Sequence, residues 1–279
     1  MHLKYLGTAA AEGVPAMFCV CETCRKARAA GGRNIRSRSQ ALVDGTLLID
    51  FPPDTFMHTV QHGLDLPSIT ALLITHAHED HLYPSDFEMR KPGYAYAAEE
   101  PQKPLHIYAS AATRRVIEKA DNADLQKRDV IVLHTVVPFV PFAVEGYTVT
   151  GLVADHDRSV EALFYLIEKD GKALLYANDT GYFPDETWEY LTEKKPRLDF
   201  VSLDCTGIAA EEGYRGWHMC IRTNWEVRDR LKEMGCAAEQ TQFCHHHFSH
   251  NGKRTYDEQC EMAEGTGFLV SYDGMEVAF

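Results

Sequence analysis

Four side chains able to bind a metal stand within six residues in THAHEDH, where His76, His78, Asp80 and His81 follow the apolar run ALLIT. Neutral imidazoles and carboxylates hold a divalent cation at about 2.0–2.2 Å, and a strand end turning into a loop can aim positions i, i+2, i+4 and i+5 at one point. Packing needs seldom produce such a set, so metal chemistry is expected here. A second set is FCVCETC, with thiols at Cys19, Cys21 and Cys24. A closed tetrahedral zinc site needs a fourth ligand, and the thioredoxin-like context that would favour redox exchange is missing. A third is FCHHHFSH, residues 243–250, in which four of eight side chains are imidazoles.

The elements that must position these groups can be read from short apolar runs separated by turn residues. Strands are expected at LKYLG, at 41–50 as a hairpin around Asp44-Gly45, at 71–75, 105–109, 130–137 and 147–153, and at 162–177 as a hairpin around Asp170-Gly171. Further strands are expected at 199–204, at 240–246 and across the C-terminal GFLVSYDGMEVAF. Helices are expected at 54–62, 110–119, 184–193, 224–234 and 255–263, with Pro at one start and Gly at one end. Each half runs from strands into strand-and-helix units, which suggests two mixed sheets packed face to face with helices outside. No Pro-, Gly- or Ser-rich linker divides the chain, so residues 1–279 are read as one domain.

With 279 residues and 45% hydrophobic content, the chain can bury a large core. Its formal net charge of −13 argues against a long polyanion as partner, because such binding depends on Lys and Arg contacts with phosphates. The beginning of the chain lacks a basic segment followed by an apolar run, and no later run approaches a membrane span, so a soluble, cytoplasmic protein is expected. The eight cysteines do not resemble a small secreted disulfide framework, and the crowding of three of them points to metal.

HxHxDH after a hydrophobic strand resembles the motif of the metallo-β-lactamase superfamily, an αββα sandwich, of α/β (α+β) class, with a two-metal centre. The resemblance implies that His76, His78 and His156 of VADHDRS bind one metal. It implies that Asp80, His81 and His247 bind the other, with Asp179 of LLYANDTG bridging. The stretch LGTAAAEGVPAMFCVCETC is similar to the N-terminus of the phosphoribosyl cyclic phosphodiesterase branch, which carries a structural zinc. That likeness implies Cys19, Cys21, Cys24 and His250 as its ligands. By strand alternation His245 should share the face of His247 and His246 should point the other way. His218, in GWHMC, resembles the branch's proton donor to the leaving alkoxide, and Arg215 and Arg222 beside it are weaker candidates for orienting a phosphate.

The activity implied is that of a dinuclear hydrolase, most of all a phosphodiesterase on a small, cyclic or open, sugar or nucleotide phosphate. A metal-bridging hydroxide would attack phosphorus, His218 would protonate the leaving oxygen, and Asp80 belongs to both the ligand and the catalytic sets. The cofactors expected are two divalent ions (zinc, manganese or iron) and one structural zinc. The partner expected is a small phosphate ester, with neither nucleic acid nor membrane, and a homodimer stays open. Two other activities stay open: hydrolysis of an ester, lactone or thioester, and a non-hydrolytic metalloprotein resembling the pyrroloquinoline quinone biosynthesis protein. Segments 84–105 and 211–225 fit the family pattern least and are expected to line the cleft.

Overall fold

The computed structural model of the chain describes residues 1–95, 103–121, 124–210 and 214–279. Its strands form two seven-stranded sheets. The first runs in the order β14 (Glu276–Ala278), β1 (His2–Gly7), β2 (Gln40–Val43), β3 (Leu47–Ile49), β4 (Ala71–Leu73), β5 (Leu105–Ala109) and β6 (Ile131–Thr135). The second runs β13 (Phe268–Val270), β12 (Gln242–His246), β11 (Phe200–Asp204), β10 (Lys172–Ala177), β9 (Leu163–Lys169), β8 (Tyr147–Val153) and β7 (Phe142–Val144).

Alternation along the strands sends one set of side chains between the sheets and the other outward. Between them lie Leu3, Tyr5, Val43, Ile49 and Leu73 from the first sheet, against Val149, Tyr165, Ile167, Leu174 and Tyr176 from the second. The buried tyrosines keep their hydroxyls paired: Tyr5 donates to Ser202 Oγ at 2.8 Å and Tyr165 to the Ile74 carbonyl at 2.7 Å. Outside the second sheet, Leu166, Leu175 and Val201 meet Trp188 and Leu191 of α4 (Asp185–Lys194) and Val227 and Leu231 of α5 (Ile221–Glu233). Outside the first, Leu72 and Ile107 meet Ile117 of α3 (Ala111–Ala120). The layers are therefore helix, sheet, sheet, helix, as expected. Among the described residues the remaining helices are α1 (Glu22–Ala30), α2 (Thr55–His62) and α6 (Tyr256–Ala263), and no helix is long and apolar enough to cross a membrane.

Both expected hairpins turn through paired positive φ angles, at Asp44 (47°) and Gly45 (72°) and at Asp170 (51°) and Gly171 (75°), which matches the twist of the flanking strands. One expectation needs correction, and two observed elements were not expected. The C-terminal run is two strands, β13 and β14, on the edges of opposite sheets, because the turn at Tyr272-Asp273-Gly274 carries the chain across the sandwich. The short β7 went unread, and so did α1, whose start is capped by the Cys21 thiol accepting from Cys24 N–H.

Candidate metal centre

β3 to β6 are parallel to one another, and so are β10 to β13. The residues that follow β4, β8, β10, β11 and β12 meet at one edge of the sandwich. Backbone groups beyond a strand's carboxyl end are free of the ladder, so the chain can turn side chains toward a shared point there. Asp50, Asp179 and His247, each just past a strand end, have φ of 65°, 46° and 60°. These left-handed conformations are strained for residues with a Cβ and persist because the surrounding contacts over-determine them.

One group of ligand atoms comprises His76, His78 and His156. His78 Nδ1 lies 3.0 Å from His76 Nε2 and 3.2 Å from His156 Nε2. The outward nitrogens are engaged: His76 Nδ1 with Thr75 Oγ1 at 3.1 Å, His156 Nδ1 with the Trp217 carbonyl at 3.2 Å, and His78 Nε2 facing Asp157 at 3.7 Å. The second group comprises Asp80, His81, Asp179 and His247. His81 Nε2 lies 3.2 Å from Asp80 Oδ2 and in direct contact with Asp179 Oδ2, which is 3.2 Å from His247 Nε2 and 3.8 Å from His76 Nε2. Asp179 thus stands between the groups.

The second group behaves as a set of atoms aimed at a cation. His81 Nε2, Asp179 Oδ2 and His247 Nε2 are buried without a hydrogen bond of good angle, a costly arrangement unless another group completes it. The electrostatics agree. Burial opposes charge on both imidazoles, yet the carboxylates outweigh it. Asp80, Asp179 and Asp50 push His81 up well above its usual range, and Asp179 and Asp204 take His247 to about 10. Protons on these rings then occupy the place of positive charge that the carboxylates demand. In the first group burial dominates and lowers both His76 and His156, keeping them neutral as ligands require. The donor set of imidazole and carboxylate suits zinc, manganese or iron.

Three residues that the sequence reading did not single out hold this centre. Asp50 accepts from Thr75 N–H at 2.8 Å and lies 2.7 Å from His81 Nδ1, leaving Nε2 for the cleft. Asp204, fully buried, accepts from the backbone N–H groups of Asp179 (3.1 Å), Thr206 (3.0 Å) and Met219 (2.9 Å). Thr206 Oγ1 lies 2.8 Å from His247 Nδ1 and 3.3 Å from His218 Nδ1. Each ring is thereby fixed in orientation and tautomer by its second nitrogen. The available signal was an Asp closing an apolar strand, in TLLID and VSLD, which reads equally as a turn former.

His218 lies at the rim, with Nδ1 3.1 Å from Asp204 Oδ2 and 3.2 Å from Asp179 Oδ1. Burial disfavours its charge, but Asp204 and Asp179 prevail and its pKa is raised. The two arginines do not join it. Arg215 pairs with Glu226 and lies 4.0 Å over the Tyr182 ring, while Arg222 is exposed on the first turn of α5. Neither has an ion pair or hydrogen bond to a ligand candidate. Of the segments expected to line the cleft, residues 96–102 and 211–213 lie outside the described residues.

At the end of β12 the histidines separate. His245 packs outward, stacked on Phe268 at 4.2 Å and 2.8 Å from Asn224 Nδ2. His246 points between the sheets, with Nε2 2.9 Å from Ser39 Oγ and 3.0 Å from Tyr176 OH, and Nδ1 3.1 Å from Ser271 Oγ. The expected shared face of His245 and His247 is corrected, because the left-handed turn at His247 breaks the alternation. His250 lies 3.6 Å from Cys21 Sγ, in one group with Cys19 and Cys24. The contact with His250 lowers Cys21 to about 6, whereas burial raises Cys24 to about 11. Three thiols and one imidazole are the four donors a closed zinc site uses.

Residues 46–247 match the family model described as the beta-lactamase superfamily domain. Over 99% of both chains, the protein is 31% identical to coenzyme PQQ synthesis protein B of Methylorubrum extorquens. Among solved structures, zinc-bound PqqB from Methylobacterium extorquens superposes with a TM-score of 0.77 at 22% identity, covering all of both chains. A diphosphatase from the PhnP family superposes with a TM-score of 0.75 at 21% identity, covering 100% of this chain and 97% of that one. Fold, motif order and family match agree, and the chain belongs to the metallo-β-lactamase superfamily.

Proposed function

We propose that the protein is a metal-dependent hydrolase acting on a small phosphodiester. The observation that carries this reading is the meeting of a complete two-group ligand set with a proton donor anchored at its rim. His76, His78 and His156 would hold one divalent ion, Asp80, His81 and His247 a second, with Asp179 between them. Cations so held would supply Lewis acidity, making water a better nucleophile near neutral pH and offsetting charge on a phosphoryl group. Asp50 and Thr206 orient the imidazoles, and Asp204 anchors His218 through Nδ1. With Nδ1 committed, His218 Nε2 is the atom left to deliver a proton to a leaving oxygen. Cys19, Cys21, Cys24 and His250 would hold a separate structural zinc.

The test compares leaving groups. His218→Ala should lose about 10²–10⁴ in kcat on a phosphodiester with a poor, alkoxide leaving group. It should lose little on bis-p-nitrophenyl phosphate, whose leaving phenolate needs no proton. Equal losses on both substrates would remove His218 from the acid role.

One observation favours a second reading. The likeness to coenzyme PQQ synthesis protein B runs through the full length of both chains, which supports a metalloprotein without phosphodiesterase activity. Absence of turnover of phosphodiesters, esters and lactones by the fully metal-loaded protein would select it.

A further inference from the structure

A cavity of about 660 Å³ opens beside His156, which lines it. That volume is in the range of pockets that enclose small organic ligands. Its walls include Val136, Val137, Pro138, Val153, Ala162 and Pro184. Its charged lining is mostly acidic: Asp155, Asp157, Glu161 and Glu186 stand with Arg158, Glu161 having Arg115 at 3.8 Å and Asp157 facing His78 at 3.7 Å. Two helix starts lie in its wall: at α3 Glu161 accepts from Ala112 N–H at 2.9 Å, and α4, which follows Pro184 without a side-chain cap, carries Asp185 and Glu186 in its first turn. An incoming anion therefore meets a carboxylate at each helix start.

We propose that this cavity takes an uncharged, apolar ester group of the substrate and that its carboxylates turn away a second anionic group. The inference rests on the phosphodiester reading for the scissile group and adds the class of substrate. A phosphorylated sugar would bring a second phosphate against this acidic lining, at a cost that like charges impose in a partly desolvated site. A phosphodiester with an aromatic or aliphatic alcohol would place that group against the apolar walls.

The experiment is calorimetric titration of the metal-loaded protein with methyl phosphate, phenyl phosphate and 4-carboxyphenyl phosphate, which reads the cavity without requiring turnover. Phenyl phosphate should bind roughly tenfold or more tighter than methyl phosphate, the gain expected for filling an apolar pocket. The carboxylated ester should bind about tenfold more weakly than phenyl phosphate. Val137→Trp, at a position 56% exposed and outside the ligand set, should erase the phenyl advantage and leave methyl phosphate unchanged. Glu186→Lys, also exposed, should narrow the penalty on the carboxylate. Equal binding of methyl and phenyl phosphate, or tighter binding of the carboxylated ester, overturns the proposal. The expected binding order without phosphodiester turnover would remove the reaction and leave the pocket. Turnover with the opposite order would remove the pocket and leave the reaction, and failure of all three esters to bind would remove both.

Discussion

Thr206→Val isolates one contact of the second ligand group. The side chain is buried, and its hydroxyl lies 2.8 Å from His247 Nδ1 and 2.9 Å from the His247 carbonyl, with Asp204 Oδ2 at 3.1 Å. The single hydroxyl proton serves one oxygen acceptor, and the oxygen remains to accept from the imidazole N–H. Valine keeps the shape and removes both functions. His247 Nδ1 then has only Asp204 Oδ2, at 3.3 Å, to hold its orientation. Loss of such a supporting contact costs metal affinity about 10–100-fold, or about 1.4–2.8 kcal/mol. The loss should fall on the ion held by Asp80, His81 and His247, since the hydrogen bonds of the Thr206 hydroxyl run to His247, Asp204 and His218 and not to the first ligand group. Competition with a chelator in a metal titration resolves the two affinities. Thr206→Ser, which keeps the hydroxyl, should retain most of the second affinity. Equal weakening of both ions, or no weakening of either, would refute the reasoning.

Two further outcomes follow from groups outside the cleft. Burial lowers His58 to about 4 from an ordinary value of about 6.5, and its ring lies 2.6 Å from Gln40 Oε1 and 2.8 Å from Ser37 Oγ. The folded state favours the neutral ring, so this stabilisation is complete above about pH 6.5 and is lost as pH falls toward 4. The loss amounts to roughly 3 kcal/mol at most. Urea unfolding across that window should show a shallower pH slope in His58→Gln than in the wild type, and parallel slopes would contradict it. Cys21→Ser removes one of four donors from the group with Cys19, Cys24 and His250. Metal analysis should show one zinc fewer than in the wild type, with the ions of the two ligand groups in the cleft retained; loss of all metal would tie the thiols to the cleft.

The positions that the structure gathers were legible in the sequence where identity and spacing carry the chemistry. THAHEDH places its four side chains after β4 and within the two ligand groups, and the family match covers it. His156 and Asp179 were readable only through the family resemblance, because a lone strand-end His or Asp is common. Asp50, Asp204 and Thr206 escaped because their roles are relational: each acts on a residue far away in the chain, His81 being 31 positions from Asp50. His245 and His247 could not be sorted by period, since a single left-handed residue ends the alternation of β12. Arg215 had the right composition and the wrong partner, because Glu226 on α5 and the Tyr182 ring take its guanidinium.

The most direct measurement is the initial rate of bis-p-nitrophenyl phosphate hydrolysis as divalent ions are returned to the metal-stripped protein. The account predicts activity that rises until both ligand groups are filled and is abolished in Asp179→Asn, whose side chain stands between them. Full metal loading of the wild type with no hydrolysis of the diester, or unchanged activity in Asp179→Asn, would contradict it.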